Sequence, residues 1–151
     1  MNRHLTQDVL ESGRFMTLFY LTIDPAKGRI DWVRAGHDPA LIYDPGRDEF
    51  TELKGSGVAL GVNGEFDYKE NSMGGLANGQ IIAVGTDGIW EAVNSQGEMF
   101  GKERFRHIIK RNARAGSSDI VSAVYNELDQ FTRGRKPEDD ITLVIIKVDG
   151  F

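Results

Sequence analysis

The order of the predicted secondary-structure elements is the feature that most constrains the fold of this chain. Patterns typical of β-strands follow one another from residue 15 to residue 84, two amphipathic helices come next, and one apolar strand closes the chain. Helices that follow a block of strands, rather than alternating with them, predict an α+β fold with antiparallel pairing. The predicted strands are 15–23, 29–35, 40–43, 49–53, 65–72, 80–84 and 140–148, the first four forming a meander, and the predicted helices are the helix end at 5–10, 102–114 and one that begins at 117 or 118.

Turn residues separate these elements. The run from Asp24 to Gly28 predicts a tight turn, because its proline sets φ and its glycine accepts a positive φ. Four glycines between Gly55 and Gly64 predict a loop, which lacks the Lys-Ser or Lys-Thr ending of a phosphate-binding P-loop. Gly134 is expected to end the last helix, which Pro137 cannot continue.

Composition narrows the functional classes. The 151 residues fit a single domain, 1–151, and the absence of cysteine excludes disulfide scaffolds, zinc ribbons and thiol catalysis. A net charge of −5 does not favour a nucleic-acid partner. No apolar run approaches the roughly 20 residues of a membrane span. The N-terminus carries no secretory signal pattern, so a cytoplasmic location is expected.

Acidic residues occur at the ends of the two most apolar strands. Asp87 follows strand 80–84, with glycines on either side, and Asp139 and Asp140 precede the last strand. If these strands pair antiparallel, the acidic residues meet at one edge of the sheet. Converging carboxylates need a positive partner, and Mg²⁺ or Mn²⁺ is the natural one in a chain without thiolates. The alternative remains open that Asp87 only caps the next turn, while Asp139 and Asp140 lie in a solvated loop.

Several motifs resemble one family. Thr-Asp-Gly-Ile-Trp-Glu-Ala-Val-Asn at 86–94, Gly-Glu-Met-Phe-Gly at 97–101 and Asp-Asp-Ile-Thr at 139–142 resemble the metal-dependent serine/threonine protein phosphatases. Phe-Met-Thr-Leu at 15–18 and Ala-Gly-His-Asp-Pro-Ala-Leu at 35–41 resemble the bacterial branch typified by the sporulation stage II protein E. The resemblance runs from about Asn2 to Val148.

The resemblance implies a fold, a reaction and a site. The implied fold is an antiparallel β-sandwich flanked by helices, with two Mn²⁺ or Mg²⁺ ions and a bridging water that attacks phosphoserine or phosphothreonine. By position, Asp87 and Asp139 match the catalytic, metal-binding aspartates. Gly88, Glu91 and Asp140 match further positions at the metals, Glu91 being linked to a weaker additional site. The role of His37 stays open, because a histidine between a strand and a proline is more often structural.

One departure from the family pattern shapes the expectations for this chain. The branch carries an upstream aspartate motif ending in Gly-His-Gly that supplies a bridging carboxylate, and no Gly-His-Gly occurs here. The resemblance therefore implies a domain lacking its first strands and first helix, with weak or partial metal binding and impaired activity on its own. An uncovered sheet edge would then favour a homodimer.

The functional hypothesis follows from the resemblance. The chain is expected to be the larger, C-terminal portion of a phosphatase domain that acts on a phosphorylated partner-switching regulator, of the anti-sigma-factor antagonist type. The alternative is a non-enzymatic regulatory binding module with an incomplete metal site. A purely structural module ranks last, because it requires the pattern of Asp87, Asp139 and Asp140 to be accidental.

Overall fold

The computed structural model describes residues 2–9, 13–133, 135 and 139–150. These residues form two compact units: unit 1 within 1–39 and 52–76, and unit 2 within 40–51 and 77–150. The strands are β1 Leu18–Asp24, β2 Arg29–Ala35, β3 Ala40–Asp44, β4 Glu49–Leu53, β5 Asn71–Gly74, β6 Ile81–Gly85 and β7 Leu143–Lys147, and the helices are α1 Asn2–Val9, α2 Lys102–Arg111 and α3 Ser117–Thr132.

Unit 1 is built on a three-stranded antiparallel sheet in the order β1-β2-β5. A 3-10 turn at Pro25–Lys27 joins β1 to β2, and Gly28 ends it with a φ of 55°. The predicted turn is therefore confirmed. The side chain of Asn2, at the start of α1, accepts a hydrogen bond from the Gly61 amide at 3.1 Å. That bond fixes α1 to the glycine-rich loop, which forms as predicted.

Unit 2 contains a four-stranded sheet in the order β4-β3-β6-β7, with α2 and α3 packed beside it. Strand β6 pairs antiparallel with both β3 and β7. The apolar stripe of α3 and three buried residues of α2 meet side chains of β3 and β6 in one core. This core comprises Leu41, Tyr43, Ile81, Ala83, Ile89, Trp90, Phe100, Phe105, Ile108, Ile109, Ile120, Val124 and Leu128.

The α+β fold is confirmed, and most differences from the predicted elements lie at their ends. Strands β2 and β4 have the predicted bounds. The predicted strand 65–72 is wrong over most of its length, because Phe66 and Tyr68 pack on each other and the Tyr68 hydroxyl donates to the Val58 carbonyl instead of joining a sheet. The predicted meander is also wrong, since β2 and β3 belong to different sheets.

Helix α2 ends at Arg111, three residues before the predicted end. Beyond this end, the ammonium group of Lys147 on β7 donates to the carbonyl oxygens of Ala113 and Ala115 at 3.1 and 2.8 Å. A cation is well placed against carbonyls that follow a helix. Helix α3 ends with Arg133 at a φ of 54°. The predicted terminators Gly134 and Pro137 lie outside the described residues.

Within the described part of the chain, no helix has the length and apolar character that crossing a membrane requires.

Gln80 ties the start of β6 to the end of β3. Its side-chain oxygen accepts from the Ala77 amide at 3.0 Å, and its side-chain amide donates to Asp44 at 3.0 Å. Gln80 is one of two buried polar residues among the described part of the chain. Its hydrogen bond is the main cause that lowers the pKa of the Asp44 carboxyl. The residue therefore joins two strands as well as closing a turn.

We expect Gln80→Ala to lower the free energy of unfolding by about 1–3 kcal/mol, because two partly buried hydrogen bonds, to the Ala77 amide and to Asp44, are lost. The Asp44 pKa should rise toward its ordinary value. A lowered folded pKa stabilises the protein above the unfolded pKa, and that stabilisation is lost as pH falls through the folded pKa. Urea denaturation at pH 7 and near pH 3 measures both effects. An equal loss at the two pH values would contradict the role of Asp44.

Candidate active site on two acidic turns

The pairing of β6 with β7 places two turns side by side. In the antiparallel register Gly85 lies opposite Leu143, so the end of β6 adjoins the start of β7. Residues 86–91 follow β6 as a turn, and residues 139–142 lead into β7. We call these segments the two acidic turns. The predicted convergence of the strand ends is confirmed.

Thr86 connects the two acidic turns by three hydrogen bonds. Its backbone amide donates to the Thr142 carbonyl at 3.0 Å. Its hydroxyl donates to the Asp140 carbonyl at 3.0 Å and accepts from the Thr142 amide at 2.9 Å. One side chain therefore continues the ladder beyond the last strand pair and sets the position of the segment that carries Asp139 and Asp140.

Gly88 lets the two acidic turns approach each other closely. An ideal Cβ built on Gly88 would lie 2.6 Å from the Asp140 carbonyl oxygen and 3.4 Å from that of Asp139. The first distance is shorter than real Cβ contacts allow, so any side chain at position 88 would push the turns apart. The glycine next to Asp87 therefore allows the backbones of the two acidic turns to lie close together.

The two aspartates of the turns are held in similar ways. The amide of Gly88 donates to Oδ1 of Asp87 at 3.1 Å, and the amide of Asp140 donates to Oδ1 of Asp139 at 2.8 Å. Both side chains are exposed. Among the described residues, no lysine or arginine forms an ion pair with either of them. Each aspartate thus keeps a second carboxylate oxygen for a ligand.

Glu91 and Asp140 are two further exposed acidic side chains on the same two turns. The Glu91 amide donates to the Asp87 carbonyl at 2.9 Å, so Glu91 closes a single turn that begins at Asp87. In the part of the chain that the structure describes, no three His, Asp or Glu side chains are grouped closely enough to hold a metal ion. The two acidic turns nevertheless carry hard oxygen donors, the ligand type that Mg²⁺ and Mn²⁺ select.

His37 lies in unit 1, at the end of β2, and the acidic turns lie in unit 2. Its Nδ1 is 2.9 Å from the Asp38 carbonyl oxygen, and its ring meets the edge of Phe19 with ring centres 6.2 Å apart. These contacts are local and support a structural role.

Comparison with known proteins identifies the family. The model of the family described as Stage II sporulation protein E (SpoIIE) matches residues 1–149. The chain belongs to the SpoIIE family. Phosphoserine phosphatase RsbU of Bacillus subtilis is 25% identical over 147 residues, which cover 97% of this chain and 43% of RsbU. Phosphoserine phosphatase RsbP of the same organism is 31% identical over 151 residues, covering 98% of this chain and 35% of RsbP.

A solved member of the SpoIIE family supports the fold. The phosphatase domain of the cell fate determinant SpoIIE from Bacillus subtilis, in crystals presoaked with Mn, superposes with a TM-score of 0.67 at 21% identity. The match covers 98% of this chain and 73% of that structure. The family resemblance and the fold class predicted from the sequence are therefore confirmed. The chain spans less than half the length of either phosphoserine phosphatase.

Sequence reasoning did not single out Thr86. Its role depends on two partners 54 and 56 residues away, which become neighbours only when β7 pairs with β6. The available signal was a hydroxyl residue directly before Asp-Gly at the end of a buried strand. A hydroxyl at that point can extend the ladder by bonding the neighbouring backbone.

Replacing Thr86 tests the connection between the turns. We expect Thr86→Val to lower the free energy of unfolding by about 1 kcal/mol, because two partly solvated hydrogen bonds are lost. Thr86→Ser, which keeps the hydroxyl, is the matched control and should lose clearly less. Chemical denaturation of both variants measures the difference. Equal losses would show that the hydroxyl does not hold the turns together.

Replacing Gly88 tests the close approach. We expect Gly88→Ala to destabilise the protein by about 1–3 kcal/mol, because the added methyl group overlaps the Asp140 carbonyl. Gly74→Ala is the control, since a Cβ there has no neighbour within 4 Å, and it should change the stability by less than about 1 kcal/mol. Thermal denaturation provides the comparison, and similar melting temperatures for both variants would contradict the packing described.

Proposed function

We propose that the two acidic turns form the active site of a metal-dependent phosphatase that hydrolyses phosphoserine or phosphothreonine on a protein. One observation carries the proposal: the turn of Asp87 lies against the segment of Asp139 and Asp140. The Thr86 hydroxyl bonds the two turns, and the absence of a side chain at Gly88 allows their close approach. Membership of the SpoIIE family supports it, as do two relatives that are named phosphoserine phosphatases.

In this proposal Asp87 and Asp139 are the metal-binding and catalytic residues. Each has one carboxylate oxygen held by a backbone amide, which leaves the other oxygen for Mn²⁺ or Mg²⁺. Gly88, Glu91 and Asp140 complete the surroundings of the ions. When bound, such ions supply a nucleophilic water and neutralise the charge of the phosphoryl group.

The charge of the turns makes metal dependence a requirement. Asp87, Glu91, Asp139 and Asp140 are all exposed and acidic, so without a cation they repel the phosphate of a substrate. A site with few protein ligands binds a hard cation weakly. We therefore infer partial metal occupancy and low turnover by the isolated chain. Family resemblance implies two ions for a complete site.

For the substrate we infer a phosphorylated cytoplasmic regulator of the partner-switching, anti-sigma-factor antagonist type. The resemblance of this chain to RsbU and RsbP supports that class. Homodimer formation remains part of the proposal. It is supported by β1, which lies at the edge of its sheet, and by exposed aromatic side chains at Phe15 and Tyr20.

A second candidate is a non-enzymatic regulatory module that binds the phosphoprotein without hydrolysing it. The observation that favours it is the absence of a three-ligand group among the described residues. The two candidates differ in a simple way: only the first releases phosphate when metal is added.

Exchanging the acidic residues for amides tests the proposed site. We expect Asp87→Asn and Asp139→Asn each to lower Mn²⁺-dependent hydrolysis of a phosphoserine protein at least about 100-fold, or to background, because a metal ligand is removed. Calorimetry should show that both variants also lose Mn²⁺ binding. Asp149→Asn, an exposed aspartate in the same unit, is the matched control and should retain both properties.

Unchanged Mn²⁺ binding in Asp87→Asn and Asp139→Asn would remove these residues from the metal site. Phosphoprotein binding without phosphate release at saturating Mn²⁺ would favour the regulatory module. Chelation with EDTA provides the metal-free baseline for each assay.

A further inference from the structure

A cationic pocket lies in unit 1, and none of its lining residues belongs to the acidic turns. It has a volume of about 510 Å³ and is lined by Arg34, Pro39, Lys54, Gly55, Ser56 and Asn71. The lining contains two cationic side chains and no acidic one. In a chain of net charge −5, such a local excess of positive charge attracts anions.

Arg34 is fixed in place as one wall of this pocket. Its Nε donates to the Gly55 carbonyl and one Nη donates to the His37 carbonyl, both at 2.8 Å. Two of the five N–H bonds of the guanidinium are thus used, and three remain. No carboxylate in the described residues forms an ion pair with Arg34. Its charge is half-buried, oriented and available to a ligand.

Glycines shape the pocket by bringing the loop close to β2 and β5. A Cβ on Gly57 would lie 2.0 Å from the Arg34 carbonyl oxygen, and a Cβ on Gly55 would lie 2.8 Å from the side-chain nitrogen of Asn71. A side chain at position 57 would displace the loop, because it meets the backbone of Arg34, whereas at position 55 the Asn71 side chain would have to move. The glycine-rich loop is therefore packed against Arg34, where it orients the guanidinium.

Lys54 and Ser56 supply adaptable donors at the pocket. The Lys54 ammonium lies 3.6 Å from Glu52 in a pair whose lysine side chain is 79% exposed, so this pairing is weak and can be exchanged for a ligand. Ser56 adds an exposed hydroxyl. Together with Arg34 these groups offer donors to several oxygens of one ligand.

We propose that this pocket binds a phosphate group, either as free phosphate or as a phosphomonoester. A phosphate dianion matches two cations in charge, and its several oxygens can accept from a guanidinium fork, an ammonium and a hydroxyl at once. A single carboxylate carries half that charge and has only two oxygens. The volume leaves room beyond the phosphate for the group that carries it. This proposal does not depend on the proposed catalysis, because the two sites share no residue.

The test is calorimetric titration of the full chain with inorganic phosphate and with phosphoserine, in EDTA so that the acidic turns hold no metal. We expect saturable binding of at least one ligand. Lys54→Gln should weaken it about threefold to tenfold, because one charge-assisted contact is lost. Lys69→Gln, an exposed lysine of the same unit outside the pocket lining, is the matched control and should leave the affinity unchanged.

Arg34→Gln should abolish saturable binding, and Arg34→Lys, which keeps the charge and loses the fork, should fall between Arg34→Gln and the wild type. Circular dichroism establishes that each variant folds; if the Arg34 variants do not fold, the Lys54→Gln comparison decides. Tighter binding of phosphoserine identifies a phosphomonoester as the ligand, and equal or tighter binding of phosphate identifies the free anion.

Four results would overturn the proposal. They are no saturation by either ligand up to about 10 mM, equal affinities in Lys54→Gln and Lys69→Gln, succinate binding as tightly as phosphate, and loss of phosphate binding in Asp87→Asn. The last would place the phosphate at the acidic turns. If Asp87→Asn loses metal-dependent hydrolysis but still binds phosphate, the pocket proposal is supported. The two proposals can therefore be rejected independently.

Discussion

The antiparallel pairing of β6 with β7 is the interaction on which the candidate site depends. The register that sets Gly85 opposite Leu143 brings together two turns that are about fifty residues apart in the sequence. Helices α2 and α3 occupy that interval and pack on the same sheet, so their apolar faces hold the strand pair in place. A core made of ordinary aliphatic and aromatic residues thus positions exposed acidic groups at its edge.

The two candidate sites carry opposite charge. The acidic turns of unit 2 carry four exposed carboxylates that have no cationic partner among the described residues, and a hard cation is the ligand that such a surface selects. The lining of the unit 1 pocket has the opposite charge: it contains Arg34 and Lys54 and no acidic residue, although Lys54 also pairs weakly with Glu52 outside the lining. Both sites use glycine for the same purpose. At Gly88 and at Gly57 the missing side chain lets two backbone segments meet.

The sequence predicted local structure well where the hydrophobic pattern agrees with burial. It did so less well where a side chain contacts a residue distant in the sequence. Strands β2 and β4 and the meeting of the acidic turns follow from alternation, turn residues and strand order. The aromatic residues of 65–70 alternate as in a strand but pack on each other and on the glycine-rich loop. The roles of Thr86 and Arg34 were not predicted, because their partners are backbone amide and carbonyl groups, which any residue type can provide.

The central proposal is that Asp87 and Asp139, one on each acidic turn, together bind a metal ion. Anomalous diffraction from crystals of this chain soaked in Mn²⁺ tests it most directly. The account predicts an anomalous peak with a carboxylate oxygen of each aspartate at roughly 2.0–2.3 Å, the range for small hard cations. A peak elsewhere, or contact with neither aspartate at saturating Mn²⁺, would contradict it.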